Sequence, residues 1–428
     1  MSSDGTPETR HEVRHRRVMY IPGYDPVPPR KYRERYRAQS ARQADISGYG
    51  IALGKNRTKG RFGWHVAGDM DGAKVETDVE VMYWADIVRS SMEQGIAGTY
   101  LHLARTAWAY VGSGALFRLM RLRKGPVIAA LYPVVVLSGQ LALALAIGLL
   151  AAWTVLAASN QVLAWGQGVA VPTRSLPVVG AWALVGVVTP LVAWLVLRWF
   201  AKKDHVLAWY LMHDYAFSAR LNGAYPPEQE SRMAQFADRI AEALQSDADE
   251  VLIVGHSSGT YIAVSILSDL IRDGRVPAGG PVLSLLTLGH VVPMVSFLPK
   301  ATRLRADLAF LSARPELTWI DVTAPGDGCA FALCDPVSVS GVAPPDKRWP
   351  LVLSAAFSQT LAPETWAALR WKLFELHFQY LNAFDRPGDY DYFRITAGPM
   401  TLATRFAGRA PSQSRIETPV NRYTDHAA

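Results

Sequence analysis

An α/β fold, with a mainly parallel sheet covered by helices on both faces and a two-helix transmembrane insertion, is what this 428-residue chain predicts. Three observations carry that reading. Short apolar runs that suit buried strands alternate with longer stretches of helical spacing. Residues 251–267, VLIVGHSSGTYIAVSIL, pass from strand to tight turn to helix without a break. Two long stretches near the middle carry no charged side chain at all.

In chain order, residues 1–15 are polar and basic and read as a mobile N-terminus. Residues 17–21 form a short strand ending in Pro22-Gly23-Tyr24-Asp25, and KYRERYRAQSARQ then reads as a basic helix. GYGIALG and RFGWHVAG are two short strands around the turn KNRTKG. Residues 74–84 alternate, with Val75, Thr77, Val79, Val81 and Tyr83 on one face and Glu76, Asp78 and Glu80 on the other, so that face is wet. From residue 85 to 122 the pattern is helical and leads to the uncharged region. Residues 16–124 are therefore the first part of the sheet domain with its membrane-proximal helices, 125–200 a helical hairpin, 201–403 the second part, and 404–428 a polar tail.

The hairpin follows from length. Residues 125–173 and 175–197 are free of charge, and each run exceeds the roughly 20 apolar residues that cross a bilayer. Spans are expected at about 128–157 and 178–200; in the first, tilt, an interfacial portion or a break near Pro133 or Gly139 takes up the excess length. Arg118, Arg121, Arg123 and Lys124 precede the first span, Arg198, Lys202 and Lys203 close the second, and Arg174 stands alone between them. That asymmetry places both ends and the sheet domain in the cytoplasm. The opening MSSDGTPETRHEVRHRR has no apolar core of a signal peptide.

Beyond the hairpin, residues 226–245 read as an amphipathic helix with an acidic first turn, and it feeds the strand at 251–254. Gly255-His256-Ser257-Ser258-Gly259 follows, matching G-x-S-x-G. In this turn small neighbours let two backbones pass closely while the serine hydroxyl is lifted above the sheet, which marks Ser257 as a nucleophile. An oxyanion hole needs two backbone N–H groups near it, and Ser258 and Tyr24, the latter beside Gly23, are placed to supply them. Strands at 282–288 and 317–322 come next. The carboxylate that orients a histidine belongs just past such a strand: Asp327 in its Gly-flanked loop, with Asp321 and Asp335 as alternatives. Of His290, His377 and His426, His377 follows every acid candidate and lies among aromatic residues, which favours it as the base.

The bland readings are a Gly-rich helix entry at 255–259, capping aspartates and a packed histidine. The net charge of +7 gathers beside the hairpin and in the termini, which fits attraction to anionic lipid and not nucleic acid, and no nucleic-acid module or internal repeat is present. The two cysteines, Cys329 and Cys334, have no nearby His or second Cys pair in sequence, so they read as reduced thiols with no metal.

The elbow VGHSSG, the IPGY loop, the order serine, aspartate, histidine and the strand–helix alternation together resemble the alpha/beta-hydrolase superfamily. The resemblance covers most of residues 17–400 outside the hairpin. It implies a Ser-His-Asp triad, no cofactor, and cleavage of esters, thioesters or amides through an acyl-enzyme. The chain departs from the pattern in two ways: no strands are identifiable ahead of the IPGY strand, and a membrane hairpin precedes the elbow. A membrane position favours a lipidic or amphiphilic ester as substrate. An acyltransferase on the same fold is one alternative; another is a catalytically silent scaffold that assembles as a homo-oligomer or with partner helices through Gly139, Gly148, Gly180 and Gly186.

Overall fold

The short apolar runs pair into one eight-stranded sheet: β1 (His15–Ile21), β2 (Gly50–Gly54), β3 (Gly63–Met70), β4 (Ala73–Val81), β5 (Glu250–His256), β6 (Val282–Leu288), β7 (Leu317–Thr323) and β8 (Leu351–Ser354). Their spatial order in the computed structural model, which describes residues 13–57, 61–166 and 178–426, is β2-β3-β4-β1-β5-β6-β7-β8. From β4 to β8 every neighbouring pair is parallel, and β3 runs antiparallel to both β2 and β4. The far edge is built by β2 and β3, which follow β1 in the chain.

Parallel strands need crossovers, and the helices supply them. The first eleven in chain order are α1 (Arg30–Ser47), α2 (Ala85–Met92), α3 (Gly95–Gly112), α4 (Ala115–Leu122), α5 (Lys124–Gly166), α6 (Val178–Lys203), α7 (Ala208–Ala219), α8 (Pro227–Leu244), α9 (Gly259–Arg272), α10 (Val292–Ser296) and α11 (Thr302–Ser312), and shorter ones follow. All of β5 is buried, which requires cover on both faces. Val18, Leu252, Leu286 and Ile320 point into a cluster with Tyr36, Tyr380, Phe384 and Phe393. Helix α9 packs against β5, with α8 and α11 beside it.

At the start of the strands, Arg16 and Glu250 form an ion pair at 2.6 Å with both side chains fully buried. Such a pair is tolerated only if every remaining donor and acceptor is matched. Here Arg16 also donates to the carbonyls of Gly398 and Met400, and Glu250 accepts from Ser284 and from the Leu402 N–H. Residues 13–15, expected in the mobile N-terminus, belong to this layer: Val13 is buried and Arg14 and His15 donate their N–H groups to Asp249. The rest of that N-terminus lies outside the described residues. The polar tail is also tied down, through Asp425 on Arg305 and an Ile416–Cys334 bridge.

The chain divides into two units. The sheet unit comprises residues up to Ser90, Ala109–Val127 and Ser218 onward; the second comprises Ser91–Trp108 and Ile128–Phe217. In the second, α5 and α6 are long and apolar enough to cross a membrane, with mean hydropathy 2.3 and 2.1 and only 17% and 11% of their apolar windows buried. A core helix of a soluble protein would be mostly covered. Helix α5 runs unbroken through Pro133 and Gly139, so no break absorbs its length. A methyl group at Gly148 would stand 2.5 Å from the Thr189 carbonyl oxygen, so this glycine permits the close approach of α5 and α6. Gly139 and Gly186 face open space. Arg174, the lone charge of the connection, lies outside the described residues.

Candidate active site

Strand β5 ends in the GHSSG turn, and the backbone there is strained: Ser257 has φ +55°, a left-handed conformation that costs a non-glycine residue about 1–3 kcal/mol and persists where surrounding structure enforces it. The enforcement is visible. A methyl group at Gly259 would lie 2.1 Å from the Ile21 carbonyl oxygen, because α9 starts directly against the end of β1. Another at Gly255 would lie 2.9 Å from the Gly259 carbonyl oxygen. Thr260 braces the turn from the helix side, donating its hydroxyl to the Ser257 carbonyl at 2.6 Å. Ser257 itself remains partly exposed.

The loop after β1 reaches the same point. A methyl group at Gly23 would meet Ser257 Cβ at 2.8 Å and Oγ at 3.3 Å, so the Pro22-Gly23-Tyr24 backbone passes over the serine. Trp84 fixes that loop by donating its indole N–H to the Pro22 carbonyl at 2.9 Å, and the Tyr24 ring packs edge-on against Trp84. Ser258 is buried at the N-terminal end of α9, where leading N–H groups lack intrahelical partners.

Asp327 and His377 meet beside the elbow. His377 Nδ1 bonds Asp327 Oδ2 at 2.7 Å, and both residues are buried. Asp327 receives two more bonds: the Tyr380 hydroxyl donates to Oδ2 at 3.0 Å and the Cys329 N–H to Oδ1 at 2.9 Å. Burial alone would raise the Asp327 pKa, but the opposing influence of His377 and these hydrogen bonds holds it below the usual carboxylate value. Tyr380 keeps its proton, its pKa raised well above 10 by burial and then by the Asp327 charge, and it accepts from the Ala324 N–H.

The His377 ring is bracketed by neighbours of the serine. Its centroid is 4.8 Å from that of His256, whose Nε2 bonds the His377 carbonyl at 3.0 Å. Its Cε1 would lie 3.0 Å from a methyl at Gly289, the residue after Leu288, whose carbonyl accepts the Ser257 N–H. Nδ1 is committed to Asp327, and Nε2 is buried with no hydrogen-bond partner among the described residues. The Ser257 hydroxyl is thus not bonded to Nε2 here, and catalytic hydrogen bonds of unliganded sites often close only with substrate. His256 is pushed down to about 3 by burial and then by the His377 charge, so it stays neutral at physiological pH.

The other candidates are used elsewhere. Asp321 sits within β7, accepting from Thr287 at 2.6 Å, and is pushed up to about 6 by burial. Asp335 caps the helix Pro336–Val339 and pairs with Lys347. His290 is fully buried with Nε2 on the Cys334 carbonyl, and His426 is exposed. Cys329, which has no histidine nearby in sequence, stands with Asp327 and His377 in space, their donor atoms within 4.8 Å of one another. Such a trio has the donor types that bind zinc, although here Asp327 and His377 already bond each other. The supporting Tyr380 hydroxyl also escaped the sequence, which placed His377 only among aromatic residues.

No protein-family model matches this chain, and neither a curated protein nor a solved structure is significantly similar to it.

Proposed function

We propose that this protein is a serine hydrolase of the alpha/beta-hydrolase type, anchored by two membrane-spanning helices, that cleaves a lipidic or amphiphilic carboxylic ester. The observation that carries the reading is the strained Ser257 turn, wedged between Gly23 of the loop after β1 and Gly259 of α9, with a buried His377–Asp327 couple at its side. The four functional segments follow β1, β5, β7 and β8, at the carboxyl ends of parallel strands, where loops of such sheets converge.

In this reading His377 Nε2 takes the Ser257 proton as Oγ attacks the acyl carbonyl, and the Tyr24 and Ser258 N–H groups hold the tetrahedral oxyanion. His377 then protonates the departing alkoxide, leaving an acyl-enzyme. Water, deprotonated by His377, attacks that ester, and the acid is released with Ser257 regenerated. Asp327 keeps Nδ1 protonated and stabilises the imidazolium. The exposed apolar surfaces of α5 and α6 support membrane placement, and the basic flanks support a cytoplasmic sheet unit with both termini on that side.

The test is turnover of p-nitrophenyl esters of increasing acyl length by the full chain in detergent micelles. Hydrolysis that rises with acyl length is expected, and absence of turnover on every ester would overturn the proposal.

A further inference from the structure

Two guanidinium groups in the sheet unit, Arg16 fully buried and Arg405 partly so, are treated very differently. Arg16 has a carboxylate and two carbonyls on its three nitrogens. Among the described residues the Arg405 side chain has one hydrogen bond, from Nη2 to the Arg394 carbonyl at 3.3 Å. The Nε atoms of Arg405 and Arg394 are both shielded from solvent and have no hydrogen-bond partner among the described residues. A guanidinium offers five N–H donors, and burying it without an anion is costly. Arg405 carries the mark of that cost, pushed down to about 10 by burial and then by the Arg394 charge.

Both arginines line an open cleft of about 630 Å³, of the size that holds small molecules. Arg394 is held by Asp71, which lies in the β3–β4 turn where the parallel strands begin, so the cleft is at the opposite end of the sheet from Ser257. The acids in its wall are already engaged. Asp389 pairs with Arg409 at 2.6 Å, and Asp391 accepts from the Tyr49 hydroxyl and from the Phe393 and Arg394 N–H groups. What remains is Arg405, whose guanidinium has no carboxylate within ion-pair distance among the described residues and whose Nε has no hydrogen-bond partner there.

We propose that this cleft binds a phosphate-bearing small molecule, whose dianionic head accepts hydrogen bonds from Arg405 and Arg394. A phosphate presents several acceptor oxygens to two guanidinium groups at once, which a chloride ion cannot do. The remaining volume takes the organic part of the ligand. The proposal is independent of the Ser257 chemistry.

The test is thermal unfolding of the full chain in neutral detergent, titrated with sodium phosphate, with glycerol 3-phosphate, or with phosphatidic acid in mixed micelles, each at ionic strength matched with sodium chloride. Saturable stabilisation by glycerol 3-phosphate is expected and assigns a soluble ligand; stabilisation by phosphatidic acid alone assigns a lipid headgroup. In Arg405→Met the starting Tm should equal or exceed that of the unsubstituted protein, since an unmatched charge is gone, while binding weakens about tenfold or more. If Arg405→Met does not fold, Arg394→Gln is held to the same loss of binding. The proposal is overturned if none of the three compounds raises the Tm above the chloride control, or if the variant responds as strongly as the parent.

Discussion

Among the described residues the sheet unit holds two buried histidine–aspartate couples, and their difference separates a pair suited to the proposed chemistry from one suited to structure. His377 and Asp327 meet at 2.7 Å in loops past the strand ends, whereas His290 Nε2 and Asp321 Oδ2 stand 3.7 Å apart at the core of the sheet. Both carboxylates are inaccessible, so burial does not separate them. Hydrogen bonds do. Asp327 accepts from His377, Tyr380 and Cys329 and is held below the ordinary range. Asp321 accepts from Thr287 alone, its Oδ2 has no hydrogen-bond partner among the described residues, and burial drives it up to about 6. A carboxylate that must steady an imidazolium has to be ionised, and the first environment favours that form more strongly.

Substitution of each aspartate by asparagine should break the symmetry most sharply. Asp327→Asn is expected to lower kcat on an ester by about 10³–10⁴-fold, because it leaves His377 in the wrong tautomer. Asp321→Asn should leave kcat within about twofold, and a large loss there with Asp327→Asn harmless would exchange the two roles. Next in size is Tyr380→Phe, which removes one hydrogen bond from Asp327 Oδ2. We expect kcat down about tenfold with KM unchanged, together with about 1–3 kcal/mol of stability lost where the Ala324 N–H is stranded. Unaltered kcat would show that Tyr380 does not position the acid.

The smallest effect is on stability against pH, and the two couples have opposite signs. Asp327, lowered in the folded state, adds stability above the ordinary carboxyl range that is lost as pH falls through its folded pKa. Asp321, raised from 3.8 to about 6, contributes stability below its unfolded value that is lost as pH rises through 6. Asp321→Asn keeps an acceptor for Thr287 and cannot ionise. Its Tm, followed by circular dichroism, should exceed that of the parent above pH 6 and converge with it below pH 4; a lower Tm at neutral pH would contradict the assignment of burial as the governing influence. His256 supplies a further slope: with its folded pKa near 3, below the free imidazole value, stability should fall as pH drops from about 6.5 toward 3. Replacing His256 by Gln should flatten that slope.

What the sequence displayed depended on how local each signal was. The strand, the glycines and the helix of the Ser257 turn lie within one short segment, so its geometry was legible. Asp327 and His377 were reachable because both follow the serine in chain order, Asp327 just past the strand read at 317–322, whereas β8 went unread. Tyr380 on Asp327, Cys329 beside His377 and the buried Arg16–Glu250 pair join residues far apart in sequence, and no periodicity announces such meetings. The β2–β3 edge was read as two strands, but its place beyond β4 is a choice of topology that spacing does not encode. The exposed faces of α5 and α6 are the reverse case, since absence of charge over so long a run is a purely compositional signal.

The central claim is that Ser257 is a nucleophile activated by His377. It is tested most directly by labelling the full chain in detergent with a fluorophosphonate and mapping the modified peptide by mass spectrometry. The account predicts a single adduct on Ser257, absent in Ser257→Ala and strongly slowed in His377→Ala. An unreactive parent chain, or labelling that persists in Ser257→Ala, would contradict it.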